Sequence, residues 1–167
     1  MDFFMEKIVA RRKKPGDYLI YAALVIAALI VLTASMLVSI LRGIWPLIAV
    51  GAAYLAYHLM TSRNIEYEYI VTNGDLDIDM ITAKRKRKRI FSANCKSFDL
   101  VAKYGSELCA RETKNVENRL EMVSSMDSPN IYVIILNYSN KRTAVFFEPD
   151  KRMIDAFRKH IPRKIAD

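Results

Sequence analysis

The chain has 167 residues, 52% of them hydrophobic, and a formal net charge of +8. Two cysteines and two histidines exclude a disulfide-stapled module and a His/Cys metal centre, and two isolated thiols point to a reducing compartment. With five glycines there is no Gly-rich phosphate loop, no nucleophile elbow is present, and the sequence presents neither a catalytic centre nor a cofactor site.

Residues 1–17 form a basic segment, with Lys7, Arg11, Arg12, Lys13 and Lys14 against Asp2, Glu6 and Asp17. An apolar stretch follows from Tyr18 to Met60, broken only at Leu41-Arg42-Gly43 into halves of about 24 and about 17 residues. An apolar helix of about 20 residues crosses the roughly 30 Å hydrocarbon core, so residues 18–62 are expected to be a transmembrane helical hairpin. Basic residues flanking a first span favour the cytoplasmic side, and the far loop carries Arg42 alone. Both termini are therefore expected to be cytoplasmic. A secretory signal peptide shares the basic-then-apolar layout, but this run continues through Met36-Leu37-Val38 and a second span follows at once. Trp45 and Pro46 are expected to open the second helix. Small residues at Ala23, Ala27, Ala34 and at Gly51, Ala52, Ala56 suit close backbone packing, within the hairpin or along a dimer seam. No Asp, Glu, Lys or Arg lies inside either span, which argues against an ion or substrate path. His58 sits at the cytoplasmic end as an interfacial residue rather than a ligand.

Next come two alternating runs, Ile65–Thr72 and Asp75–Ile81, around Asn73-Gly74. Asn-Gly between such runs predicts a type I′ hairpin turn, because both central residues need positive φ. That turn sets Val71 opposite Leu76, Tyr69 opposite Ile78 and Tyr67 opposite Met80, giving one apolar face. The other face gathers Glu66, Glu68, Asp77 and Asp79, whose repulsion calls for a third, basic strand. Lys84-Arg85-Lys86-Arg87-Lys88-Arg89 follows, leading into Ile90-Phe91. A two-residue connection pairs Asp79 with Lys86 and Asp77 with Lys88; one residue more pairs Asp79 with Arg87 and Asp77 with Arg89. The sequence leaves both registers open. The run has two uses: as cross-strand partners for the carboxylates, or as a face for anionic phospholipid. The neighbouring membrane hairpin argues against a nucleic-acid partner. Asp75-x-Asp77-x-Asp79 lacks the glycine and distal glutamate of a calcium loop and is strand alternation, so no metal is expected.

Cys95 to Tyr104 predicts a fourth strand, with Phe98, Leu100 and Ala102 on one face and Asp99 and Val101 on the other. Cys95 and Cys109 are expected to be small buried hydrophobes. Between Ser106 and Ser128 the pattern is ambiguous: Val116, Leu120 and Val123 fit a helix, and Leu120–Ser124 fits a strand equally well. Ser124 to Asn130 is a loop. Ile131–Leu136 is a near-continuous β-branched run and predicts a strand, Asn137 to Lys141 a turn, and Arg142–Phe147 its return. Pro149 opens a helix to His160 whose stripe Met153, Ile154, Phe157 and Ile161 should close a sheet core rather than hold a cofactor.

The pattern predicts an α+β membrane protein: a transmembrane α-hairpin, then about seven strands, four and then three, and one C-terminal amphipathic helix. This order resembles the pleckstrin-homology-like antiparallel β-barrel or sandwich, over residues 63–163. The hairpin followed by Ile65-Glu-Tyr-Glu-Tyr-Ile-Val-Thr-Asn-Gly, and the closing Val145-Phe-Phe-Glu-Pro-Asp with its helix, resemble small bacterial membrane proteins carrying a bacterial PH-like domain. More narrowly, the chain is similar to a family of short membrane proteins from clostridial-type bacteria. The resemblance implies a multi-pass protein of the bacterial plasma membrane. It further implies a non-enzymatic, membrane-anchored interaction module at the cytoplasmic leaflet; the alternative is an accessory subunit of a larger membrane complex docked through its hairpin. PH domains of eukaryotes bind phosphoinositides around the first hairpin loop. Here Asn73-Gly74 stands as that loop without lysine or arginine, so the site does not carry over. The candidate binding residues, for anionic lipid or for a protein partner (a second copy included), are Lys84, Arg85, Lys86, Arg87, Lys88 and Arg89, with Arg11, Arg12, Lys13 and Lys14.

Overall fold

A computed structural model describes residues 4–166; the first three residues of the basic segment, and Asp167, lie outside them, and with them the two terminal positions expected to be cytoplasmic. The chain divides into two compact units. One runs up to Arg11 and resumes at Glu66; the other is Arg12–Ile65.

The second unit is a helical hairpin of α1 (Pro15–Leu37) and α2 (Trp45–Thr61), joined by a 3-10 stretch over Ser39–Ile44. Pro15 suits the first turn of α1, and the Lys14 backbone N–H donates to Asp17 Oδ2 at 3.0 Å. Trp45 and Pro46 open α2 as expected. Around the turn, Arg42 Nε donates to the Met36 carbonyl at 2.9 Å and Trp45 Nε1 to that of Leu32 at 3.3 Å. The Met36 carbonyl is one of those that the end of a helix leaves without an intrahelical partner, and the Trp45 bond ties the start of α2 back to α1. At the opposite end, Arg63 donates twice to Asp17 Oδ1, at 2.6 and 3.1 Å. The carboxylate lies in the first turn of α1 and the guanidinium just beyond α2, so each complements its helix dipole. The segments Pro15–Leu37 and Ser39–Thr61 are long and apolar enough to cross a membrane, and almost none of their surface is covered by protein.

The first unit contains two sheets. β1 (Phe4–Ala10), β2 (Ile65–Thr72), β3 (Asp75–Thr82) and β4 (Lys86–Asn94) form one, in the order β1-β2-β3-β4. β5 (Phe98–Lys103), β6 (Asn118–Glu121), β7 (Tyr132–Tyr138), β8 (Lys141–Phe147) and β9 (Ile165–Ala166) form the other, in the order β6-β8-β7-β5-β9. Helix α3 (Glu107–Glu112) follows β5, and α4 (Lys151–His160) follows β8.

Of the expected barrel or sandwich of about seven antiparallel strands, this corrects the barrel, the strand count and the wholly antiparallel pairing. Nine strands stand among the described residues, in two sheets that do not close on each other. Two pairings, β6 with β8 and β5 with β9, are parallel. The ambiguous stretch resolves into the short helix α3 and then the strand β6, whose Leu120 lies opposite Val145. A four-residue strand and a two-residue strand are too short to show a period, and a parallel partner lies far away in sequence.

A larger correction concerns the N-terminus. Residues 4–10 are not part of a segment leading to the hairpin but strand β1, antiparallel to β2 with Met5 opposite Val71, Lys7 opposite Tyr69 and Val9 opposite Tyr67. The apolar hairpin is thus an insertion between two paired strands. The alternation was disguised because Lys7 occupies an inward position; its amine donates to the Glu148 carbonyl at 2.7 Å.

The first core unites the sheets and α4. Tyr69, Leu76, Ile78, Phe91, Phe98, Phe147 and Phe157 are all fully buried. The Tyr69 and Phe147 rings meet edge to face at 5.9 Å, and those of Phe98 and Phe157 at 5.8 Å. The expected stripe Met153, Ile154, Phe157 and Ile161 is buried throughout, and Asp150 caps α4 by accepting from the Met153 N–H at 2.9 Å. A second core covers the opposite face of the five-stranded sheet, where Ala102, Val133, Ile135, Ala144 and Phe146 meet Cys109, Val123 and Ile131. Cover on both faces accounts for the near-continuous apolar run of β7. A bulge between Phe98 and Leu100 also changes the expected faces: Phe98 and Val101 lie opposite Leu136 and Ile134 on one side, Leu100 and Ala102 opposite Ile135 and Val133 on the other. Both cysteines are buried as expected, and burial pushes their thiols above the usual range.

Candidate functional site

The basic run begins where β3 turns back. At the preceding turn, Asn73 and Gly74 have φ of 51° and 93°, the pair of positive values expected of Asn-Gly. A β-carbon on Gly74 would approach Cys95 Sγ to 3.0 Å, so glycine serves packing there as well as conformation. At the β3–β4 turn, Ala83 and Lys84 also have positive φ, 54° and 56°, and the Arg85 N–H donates to the Thr82 carbonyl at 3.1 Å.

The register beyond this turn is neither of the two expected. Thr82 lies opposite Lys86, Ile81 opposite Arg87, Met80 opposite Lys88 and Asp79 opposite Arg89. The next pair is Ile78 with Phe91, so a bulge at Ile90 shifts the pairing by one residue. Its effect is decisive, because a one-residue slip turns each side chain to the opposite face. Phe91 keeps its place on the core side against Ile78. Arg89 and Arg87 are turned to the acidic face, while Lys88 and Lys86 fall on the side of Met80, where the core runs out.

Arg89 donates from Nε to Asp79 Oδ1 at 2.8 Å and from Nη1 to Asp77 Oδ2 at 2.7 Å; Arg87 Nη2 donates to Glu68 Oε1 at 2.8 Å. Glu68 and Asp79 are only 1% and 4% exposed, so the guanidiniums cover them. The Asp79 hydrogen bond raises the Arg89 pKa further. Glu68 is pushed above the usual carboxylate range, first by burial, then by the neighbouring carboxyl group of Glu6 and by Asp79, with Arg87 opposing. Lys84, Arg85, Lys86 and Lys88 are exposed and make no ion pair among the described residues. β4 is also an edge strand, and charged side chains and a bulge are both devices that blunt an edge against foreign strands.

The other candidate residues lie elsewhere. Arg11 directly follows β1, and its charge acts on Tyr67. Arg12, Lys13 and Lys14 belong to the helical unit, where Lys13 Nζ stands 5.0 Å from the centre of the Tyr21 ring and Lys14 precedes α1. The first strand connection is therefore residues 11–64, flanked by these basic residues and Arg63, and Asn73-Gly74 is the second connection rather than the first.

The sequence reading missed a polar latch. Glu148, 7% exposed, accepts from the Ser124 N–H at 2.6 Å and the Ser128 hydroxyl at 3.1 Å. The buried Tyr69 hydroxyl donates to the Met122 carbonyl at 2.5 Å. Together these fasten the segment after β6 onto the sheets. A lone acid closing the apolar run Ala144–Phe147 was the available signal. Beside α4, a groove of about 380 Å³ mixes Asp150 and Asp155 with Lys151 and Arg158. No group of three or more His, Cys, Asp or Glu suited to a metal occurs among the described residues.

No curated protein and no solved structure matches the chain. A family model does, over residues 1–167, and the chain belongs to the family described as Bacterial PH-like domain (DUF6106).

Proposed function

We propose that the protein is a membrane-anchored, non-catalytic interaction module whose PH-like domain is held at the cytoplasmic leaflet of a bacterial plasma membrane. The observation that carries this reading is the insertion of two apolar helices between the paired strands β1 and β2. Two spans return the chain to the side it left, and only residues 11–14 and 62–64 connect them to the strands. The basic residues flanking the insertion favour the cytoplasmic side. The candidate contact residues are the exposed basic side chains of Lys84–Arg89 and of Arg11–Lys14, with anionic phospholipid or an acidic protein as the partner. Reporter fusions at both ends of the chain test the topology: cytoplasmic signals at both are expected, and an external signal at either overturns it.

A second reading, an accessory subunit docked through its hairpin, is favoured by the apolar groove of about 360 Å³ between α1 and α2, lined by Ala27, Ala28, Gly51, Ala52 and Ala56 among larger apolar residues. Small residues of this kind let helices approach closely. Gentle solubilisation followed by identification of stoichiometric partners discriminates the two: a partner lost on Gly51→Leu supports the subunit reading.

A further inference from the structure

We infer that the tip of the β3–β4 hairpin is a contact for anionic phospholipid headgroups made by Lys84, Arg85, Lys86 and Lys88, from which Arg87 and Arg89 are excluded. The inference rests on the reading of the chain as membrane-anchored. Its first support is the division of labour produced by the bulge. Arg87 and Arg89 are engaged with Glu68, Asp77 and Asp79, whereas Lys86 and Lys88 fall on the opposite face beyond the end of the core, where they are exposed and make no ion pair among the described residues. The division matches the chemistry of the two side chains. A planar guanidinium suits fixed carboxylates, and a flexible ammonium suits headgroups that move laterally. Alternate residues of a strand stand about 6.6 Å apart, so the lysines make a short row of cations leading to Lys84 at the turn.

The second support is the backbone of the turn. Among the described residues, three strand-connecting turns hold two successive residues at positive φ: Asn73-Gly74, Ala83-Lys84 and Ser139-Asn140, the middle one being a three-residue connection that ends with Arg85. In the first and third, the second position is Gly or Asn, which adopt the left-handed conformation readily. In the middle turn it is Lys84, which has a β-carbon and no group to bond its own backbone locally. A strained residue persists where something besides local preference selects it. The lysine serves this turn less well than asparagine would, and what it adds is a charge at the outermost point of the hairpin.

The test uses the full chain in lipid nanodiscs, with an environment-sensitive dye on Ala83→Cys; the native thiols of Cys95 and Cys109 are buried and do not compete. In phosphatidylcholine the dye should report water. In phosphatidylcholine mixed with phosphatidylglycerol it should shift toward a headgroup environment, and the shift should vanish near 1 M salt, where the Debye length falls to about 3 Å. Lys84→Asn should weaken the apparent dependence on phosphatidylglycerol about fivefold while melting at or above the wild-type temperature, a combination a purely structural lysine would not produce. Adding Lys86→Gln and Lys88→Gln should abolish the shift. A dye that responds equally in both lipids, ignores the triple substitution, or responds only to a co-purified acidic protein overturns the inference. Alkaline carbonate extraction tests the anchor separately. If the chain is released, the anchored reading falls, and the dye is then read on the released chain with added phosphatidylglycerol vesicles, where silence overturns the tip as well.

Discussion

Ala10 lies opposite Glu66 in the β1–β2 ladder, although 55 residues, numbers 11–65 and both apolar helices among them, separate the two in sequence. The domain is therefore completed by a strand from the far side of its own insertion. A fragment of residues 64–167, which holds nearly all of the stretch expected to be the PH-like domain, lacks Met5 and Val9 and leaves an unpaired edge beside Tyr67, Tyr69 and Val71. Burying such side chains contributes about 1.5–3 kcal/mol each. A fragment in which residues 4–11 are joined to residues 65–167 through a short turn should accordingly be more stable than residues 64–167 by several kcal/mol (about 3–6 from the two side chains). Denaturant melts of the two fragments make the comparison; equal stability would show that β1 contributes nothing.

The contact between Phe157 and Phe98 sets the second expectation. Both rings are fully buried, one on α4 and one on β5. Phe157→Ala should destabilise the domain by about 3–5 kcal/mol, since the cavity lies between a sheet and a helix that cannot both close on it. A loss under about 1 kcal/mol would place α4 outside the core.

Charge substitutions should separate the two halves of the basic run. Arg89→Gln leaves Asp79 and Asp77 without their shared partner; because the guanidinium is about half exposed, the expected loss is about 1–2 kcal/mol rather than that of a fully buried pair. Lys86→Gln and Lys88→Gln, which break no ion pair among the described residues, should stay within about 0.5 kcal/mol of wild type. Chemical denaturation at low salt checks both, and equal losses from the two sets would refute the register seen at the bulge.

Glu68 makes stability depend on pH in a definite direction. Its carboxyl is pushed up in the folded state, so folding favours its protonated form. The unfavourable contribution is absent below the unfolded value of about 4.3 and grows as pH rises from there through the raised folded value. Glu68→Gln keeps the shape without the titration. The variant should therefore gain on wild type as pH climbs through that window, and then hold a constant difference. A difference that does not vary with pH would mean that Glu68 is not raised.

Much of this architecture was legible in the residues themselves. Two apolar runs joined by Leu41-Arg42-Gly43, the Asn73-Gly74 turn, the doubly covered strand at Ile131–Leu136 and the stripe of α4 are local patterns, each set by the period of its own hydrophobic residues and by turn chemistry. The membership of residues 4–10 in the sheet was not legible, because Lys7 breaks the alternation and only the distant Glu148 carbonyl shows why a lysine belongs there. Nor was the register of the basic strand. A run of six alternating lysines and arginines offers the carboxylates an acceptable partner in any register, so charge could not choose. The choice fell to packing: Phe91 had to reach Ile78 in the core, and the bulge at Ile90 let it do so while turning the arginines, not the lysines, onto Glu68 and Asp79. Chain-local patterns determined which elements form, and long-range burial decided which strand completes the sheet and which cations are left free.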